Sequence, residues 1–111
     1  MSYQLNRKLQ LESPTKTPDG SGGFHESWVV LGTLWAFIEP RSVRSADLQD
    51  IPTAKTLHRA IVRSAPLGSS MRPVPGQRFI EGARIYAIDG VMEADADSNF
   101  LDIWIREETA R

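Results

Sequence analysis

The sequence contains no cysteine, which excludes disulfides, thiolate nucleophiles and thiolate metal sites and fits a reducing compartment. No stretch approaches the roughly 18 consecutive apolar residues of a membrane span. The opening residues, MSYQLNRKLQLE, lack the apolar segment of a secretory signal. Synthesis in the cytoplasm and no membrane partner are therefore expected. Histidine is scarce: His25 and His58 stand far apart, neither with a second ligand at metal-binding spacing. There is no G-x-S-x-G and no arrangement suggesting a Ser-His-Asp triad. Asp95, Asp97 and Asn99 mimic the start of a calcium loop. However, Phe100 stands where that loop needs glycine, and Arg106 where it needs a bidentate glutamate, so an Asp/Asn-rich turn is the better reading. The glycine-rich stretch at 20–23 has no GxxxxGK[ST] pattern and no helix to follow. Glu39, near Trp35 and Phe37, has the surroundings of an acid in an apolar pocket, but reads more simply as the polar exit of a strand. No catalytic residue, metal or cofactor is expected, and the chain is not expected to be an enzyme.

What the sequence does have is one long apolar run, Trp28 to Pro40, WVVLGTLWAFIEP. It holds two of the three tryptophans and is dominated by the β-branched and aromatic residues that favour strands. Both parities are apolar. Trp28, Val30, Leu34, Ala36 and Ile38 fall on one, and Val29, Leu31, Trp35 and Phe37 on the other. A strand with one wet face would alternate apolar with polar, so this one is expected to be covered on both sides, within the chain or by another copy. Gly32 marks a candidate bend or bulge.

The rest of the chain reads as short strands. Tyr3, Leu5, Leu9 and Leu11 alternate with polar residues at the period of a half-buried strand. Residues 14–27 are turn chemistry, with prolines, Asp19-Gly20 and Gly22-Gly23, and are expected to form a long hairpin loop. After Pro40 the character turns polar. Ser45 is placed as an N-cap for a helix of about two turns over Ala46 to Gln49, too short to be stable alone in water. Residues 40–54 are thus expected to be an exposed excursion ordered by a partner. Thr56 to Ser64 is a strand whose inward face is ambiguous. Residues 66–77 form a second loop. Arg78 to Ile80 and Arg84 to Val91 pair across Glu81-Gly82 as a hairpin, and Phe100 to Arg106 is the last strand, with Leu101, Ile103 and Ile105 on one face. The expected architecture over 1–111 is a single all-β domain. It would be a small β-barrel or sandwich of about six strands, with one short helix in the excursion after the long second strand.

Charge is unevenly distributed along the chain. Residues 1–40 carry a net −1, residues 41–84 a net +5 and residues 85–111 a net −5. Two readings remain open: scatter over a solvated surface, or a polar subunit with one basic and one acidic side. The basic set Arg41, Arg44, Lys55, Arg59, Arg63, Arg72, Arg78 and Arg84 also leaves a small β-barrel that binds nucleic acid as the alternative function. Against it, the aromatics are not interleaved with these residues.

In order and spacing, several pieces resemble the phage head-tail joining, or head-closure (stopper), proteins, including those of gene transfer agents. These pieces are NRKLQLE, TPDGSGG, Glu26 to Trp28, LWAFIEP at Leu34 to Pro40, RSVRSADLQ, HRAIVRS, Met71-Arg72 and RIYAIDGV at Arg84 to Val91. The similarity spans nearly the whole chain. One departure is PVPGQR, which intervenes between the Met-Arg pair and FIEG where the family runs almost directly on. The resemblance implies a small β-barrel and a ring homo-oligomer of about six or twelve copies at the head-tail junction of a virion or phage-like particle. It also implies an adaptor or portal ring on the head side, a tail terminator or tail tube protein on the tail side, and packaged double-stranded DNA in the channel. Such a ring retains DNA and gives the tail a docking surface. Carried over, Arg41 and Arg44 face the channel, within a channel loop that includes Ser42, Val43, Ser45, Asp47, Leu48 and Gln49. Asp19, Phe24, His25, Met71 and Arg72 are expected to contact neighbouring rings.

Overall fold

The computed structural model describes residues 4–41, 57–94 and 99–108. They contain six strands: β1 (Arg7–Pro18), β2 (Phe24–Arg41), β3 (Leu57–Arg63), β4 (Arg78–Glu81), β5 (Arg84–Glu93) and β6 (Phe100–Glu108). Every pairing is antiparallel, and the strands close into a barrel in the order β1-β2-β3-β6-β5-β4. The all-β expectation holds, and the barrel, not the sandwich, is the form taken. The short helix expected at Ser45 to Gln49 lies outside the described residues.

Alternation places one face of each strand in the core. Leu9 and Leu11 of β1, Ala36 of β2 and Ala60 and Val62 of β3 are buried there, with Phe79, Tyr86, Ile88, Leu101, Ile103 and Ile105 from the other three strands. The ambiguity of β3 is thereby resolved: His58, Ala60 and Val62 point inward. Ile61, of opposite parity, is also fully buried but outside that cluster, which is why neither face looked clean in the sequence.

The two apolar parities of β2 have a local cause. Leu11 pairs with Gly32 and Glu12 with Val30, so Leu31 is an extra residue in a bulge. A bulge switches parity. Leu31, Leu34 and Ile38 therefore all pack against the core with Ala36, while Val30 and Trp35 are left exposed outside. The bend anticipated at Gly32 is this bulge. The end of the Met71 side chain packs against Gly32, where a Cβ would lie 2.6 Å from its sulfur and force that side chain to shift.

The hairpin loop expected over 14–27 is corrected by the structure. β1 continues to Pro18 and β2 begins at Phe24, in register from Pro14↔Trp28 to Pro18↔Phe24. Only residues 19–23 form the turn, where Asp19 Oδ1 accepts the N–H groups of Ser21 (2.8 Å) and Gly23 (3.0 Å). β1 pairs with β4 only from Gln10 to Glu12, and β2 pairs with β3 only from Ala36 onward. Residues 13–18 and 24–29 are thus a two-stranded arm projecting from the barrel. Prolines are tolerated in such an edge strand because no second neighbour needs their missing N–H. Turn-rich composition therefore misled the sequence reading.

β3 and β4 lie on opposite sides of the barrel, so residues 64–77 must cross one of its ends. Pro73 is buried and Met71 lies over Gly32. The inserted PVPGQR piece is docked on β5, with Gly76 N donating to the Ile88 carbonyl (3.2 Å) and Ile88 N to the Gln77 carbonyl (3.0 Å).

Candidate functional site

The barrel has two unlike poles, joined by β2. From one pole projects the arm, beside the 64–77 crossing. At the other, β2 ends at Arg41 and β3 begins at Leu57.

That second pole is closed by charge. Arg7, Glu81, Arg84, Glu107 and His58 share the parity of the core residues on their strands and so converge on the barrel mouth. Arg7 donates two hydrogen bonds to Glu81, both 2.6 Å. Arg84 lies 3.9 Å from Glu81 and donates two bonds to Glu107, at 2.7 and 2.8 Å. Glu107 in turn lies 3.5 Å from His58 Nε2. The charges alternate in sign around four strands, β1, β4, β5 and β6, and His58 adds a fifth strand to the ring. Bidentate Arg–carboxylate geometry fixes orientation as well as adding attraction. Hydrogen bonding from Arg7 holds the Glu81 carboxyl below its usual range, and Arg84 does the same for Glu107. Inside this lid, buried Tyr86 stacks edge-on against His58, with centroids 5.5 Å apart, and burial raises its phenol above the ordinary value. His58 is a packed imidazole of the lid, as its isolation in the sequence suggested.

The wall of the barrel is laced in the same way. Arg59 Nε lies 2.8 Å from Asp102, Arg78 bonds Glu12 at 2.8 Å while lying 3.9 Å over the Trp28 ring, and Arg106 bonds Asp89 at 2.8 Å. The basic stretch 41–84 and the acidic stretch 85–111 are therefore brought together by the β3–β6 and β5–β6 pairings. Among the described residues, Arg59 with Asp102 and Arg84 with Glu107 join the two stretches within one subunit. The same pairing consumes much of the proposed nucleic-acid surface, since Arg59, Arg78 and Arg84 are engaged and Arg72 donates to the Ala65 carbonyl at 2.9 Å.

Of the residues singled out in the sequence, Asp19, Phe24 and His25 come together at the exposed tip of the arm. Met71 and Arg72 do not join them: both are partly buried, one against Gly32 and the other tethering its own loop. Arg41 is the last residue of β2. Arg44 and the remaining channel-loop residues Ser42, Val43, Ser45, Asp47, Leu48 and Gln49 lie outside the described residues, as do Asp95 and Asp97. Sequence reasoning missed the ionic lid, whose five members come from five strands and share no motif. It also missed an open pocket of about 510 Å³ on the outer wall, lined by Leu5, Thr33, Leu34, Trp35 and Arg63. The doubly apolar β2 was the available signal for the pocket. Among the described residues no group of three His, Asp or Glu side chains is arranged to hold a metal ion.

A family model described as phage head completion protein matches residues 1–108. The chain belongs to the phage head completion protein family. It is also similar to a chain in the virion of a native gene transfer agent particle, at 35% identity, covering 99% of this chain and 100% of that one, with a TM-score of 0.79. The solution structure of a protein from Shigella flexneri 2a shares the fold, with a TM-score of 0.68 at 22% identity over 96% of each chain. No curated protein matches. A phage head completion protein is a structural component of a phage-like particle, and the resemblance read from the residues is the family found.

Proposed function

We propose that this head completion protein acts without catalysis, as a head-closure ring between the portal or adaptor and the tail. In that place it would retain packaged DNA and present the surface on which the tail docks. The reading is carried by the whole-chain likeness to a gene transfer agent virion component, taken together with the family match. The two-pole architecture supports it. A part set between unlike neighbours needs two different ends, and here one carries an arm with Phe24 exposed near its tip while the other is an ionic mouth where β2 ends and β3 begins. In this proposal residues 42–56 face the channel, with Arg41 and Arg44 toward the phosphates of the DNA. A mouth tied by ion pairs suits that task, because a channel segment acts only if its two roots are held in place.

Particles assembled without the protein are expected to lose their DNA and to lack tails. Arg41→Glu/Arg44→Glu is expected to fold and to join particles that retain less DNA. Packaged, tailed particles from the deletion would overturn the ring reading. Wild-type retention in the double variant would remove only the two arginines from the channel wall.

A further inference from the structure

Two exposed features of the chain are complementary. The first is the arm tip. Phe24 is 66% exposed and shares its face of β2 with the exposed Glu26, two residues along. The second is the outer-wall pocket. Trp35 is 53% exposed and is flanked by cations on both sides: Lys8 is its cross-strand partner on β1, and Arg63 lies one step beyond the Ala36↔Val62 pair on β3. One feature is an aromatic knob beside a carboxylate. The other is a pocket lined by Trp35 and the basic Arg63, with Lys8 paired across from Trp35.

One chain cannot bring them together. Phe24 and Trp35 lie on the same strand, eleven residues apart, which at about 3.3 Å per residue sets them roughly 35 Å from one another. The knob of one molecule can meet the pocket of another, and because knob and pocket are different surfaces, that contact is heterologous. A repeated heterologous contact closes into a ring when its rotation divides a full turn.

We propose that the arm tip of each copy seats in the Trp35 pocket of the adjacent copy, with Phe24 against Trp35 and Glu26 toward Arg63. This deepens the ring reading and rests on it. It also assigns the arm to a neighbour within the same ring, where the sequence pointed to neighbouring rings. Aromatic residues and arginine are the side chains that concentrate energy at protein interfaces, and the charge pair fixes which end meets which. The contact also explains why a two-stranded ribbon, marginal by itself in water, is tolerated: it is supported on assembly.

The absence of native cysteine makes the test direct. Ser21→Cys at the tip and Thr33→Cys at the pocket rim leave Phe24, Glu26, Trp35 and Arg63 intact. Purified particles carrying both are treated with a short bis-maleimide. A ladder of multimers of this chain is expected from the double variant, and monomer alone from each single variant. Monomer alone from the double variant, in particles that keep their DNA and tails, would overturn the inference and leave the ring reading standing. So would a dimer from either single variant, which marks a symmetric contact, or a product joined to a different particle protein. In the same background, Glu26→Lys or Arg63→Glu alone is expected to abolish the ladder, and the two together to restore it. A full ladder from both single charge variants would overturn the Glu26–Arg63 pairing. Loss of the ring itself is read separately, from DNA retention in the deletion particles.

Discussion

Single side chains decide how the barrel is closed at each pole. At the arm pole, Met71 fits because residue 32 has no Cβ. Gly32→Val is expected to lower stability by about 1–3 kcal/mol, the usual cost of overpacking, and Met71→Ala in the same chain is expected to recover part of it. Denaturant midpoints of the three variants check this. At the other pole, Glu81 and Glu107 are held below the ordinary carboxyl range by Arg7 and Arg84. Their contribution is therefore complete above the unfolded carboxyl value of about 4.3 and is lost as pH falls through the lower folded values. Each bridge is partly exposed, so each is worth no more than about 1 kcal/mol at moderate salt. Urea midpoints are expected to drop between pH 5 and pH 3, and Glu81→Gln/Glu107→Gln to flatten that drop. An unchanged slope in the double variant would mean that other carboxylates carry the acid sensitivity.

Among the elements, the arm is the one whose sequence and structure disagreed most. Its prolines, glycines and Asp19 are the chemistry of a loop, and they do form the turn at 19–23. The flanking residues become strand because each needs only one neighbour, so proline costs no ladder bond on the open side. The barrel strands were legible for the opposite reason: β6 alternates, with Leu101, Ile103 and Ile105 facing the core, and Glu81-Gly82 marks the turn of the β4–β5 hairpin. β2 was half legible. Its apolar stretch and the bend at Gly32 could be read, but its start at Phe24 and the sorting of its apolar side chains could not, since a bulge reverses parity without leaving a mark in composition. Because the arm adds nothing to the core, replacing residues 14–27 with a tight two-residue turn is expected to leave the melting temperature of the isolated chain nearly unchanged and to abolish its incorporation into particles. Calorimetry and particle composition together check this. A large fall in melting temperature would show that the arm helps to hold the barrel.

For the whole molecule, the family and its all-β class were legible, because short pieces in a fixed order survive in the sequence even where each is degenerate. The ionic lid and the outer pocket were not. Both are built from residues distant in the chain: barrel closure sets Arg7 beside Glu81, and the β1–β2–β3 register sets Leu5 and Arg63 beside Trp35. The charge asymmetry shows the same limit: the runs of opposite sign left two readings open, and strand pairing alone reveals that Arg59 meets Asp102 and Arg84 meets Glu107. What emerges is a barrel with a ring of ion pairs at one mouth and a packed loop crossing the other, beside which the arm projects. The central claim is that copies of this barrel encircle the DNA channel with residues 42–56 turned inward. A reconstruction of the intact particle tests it most directly. The account predicts a closed ring of copies on the channel axis, with Arg41 and Arg44 lining the bore. A ring, or an isolated copy, with residues 42–56 on the outer surface and away from the bore would contradict it.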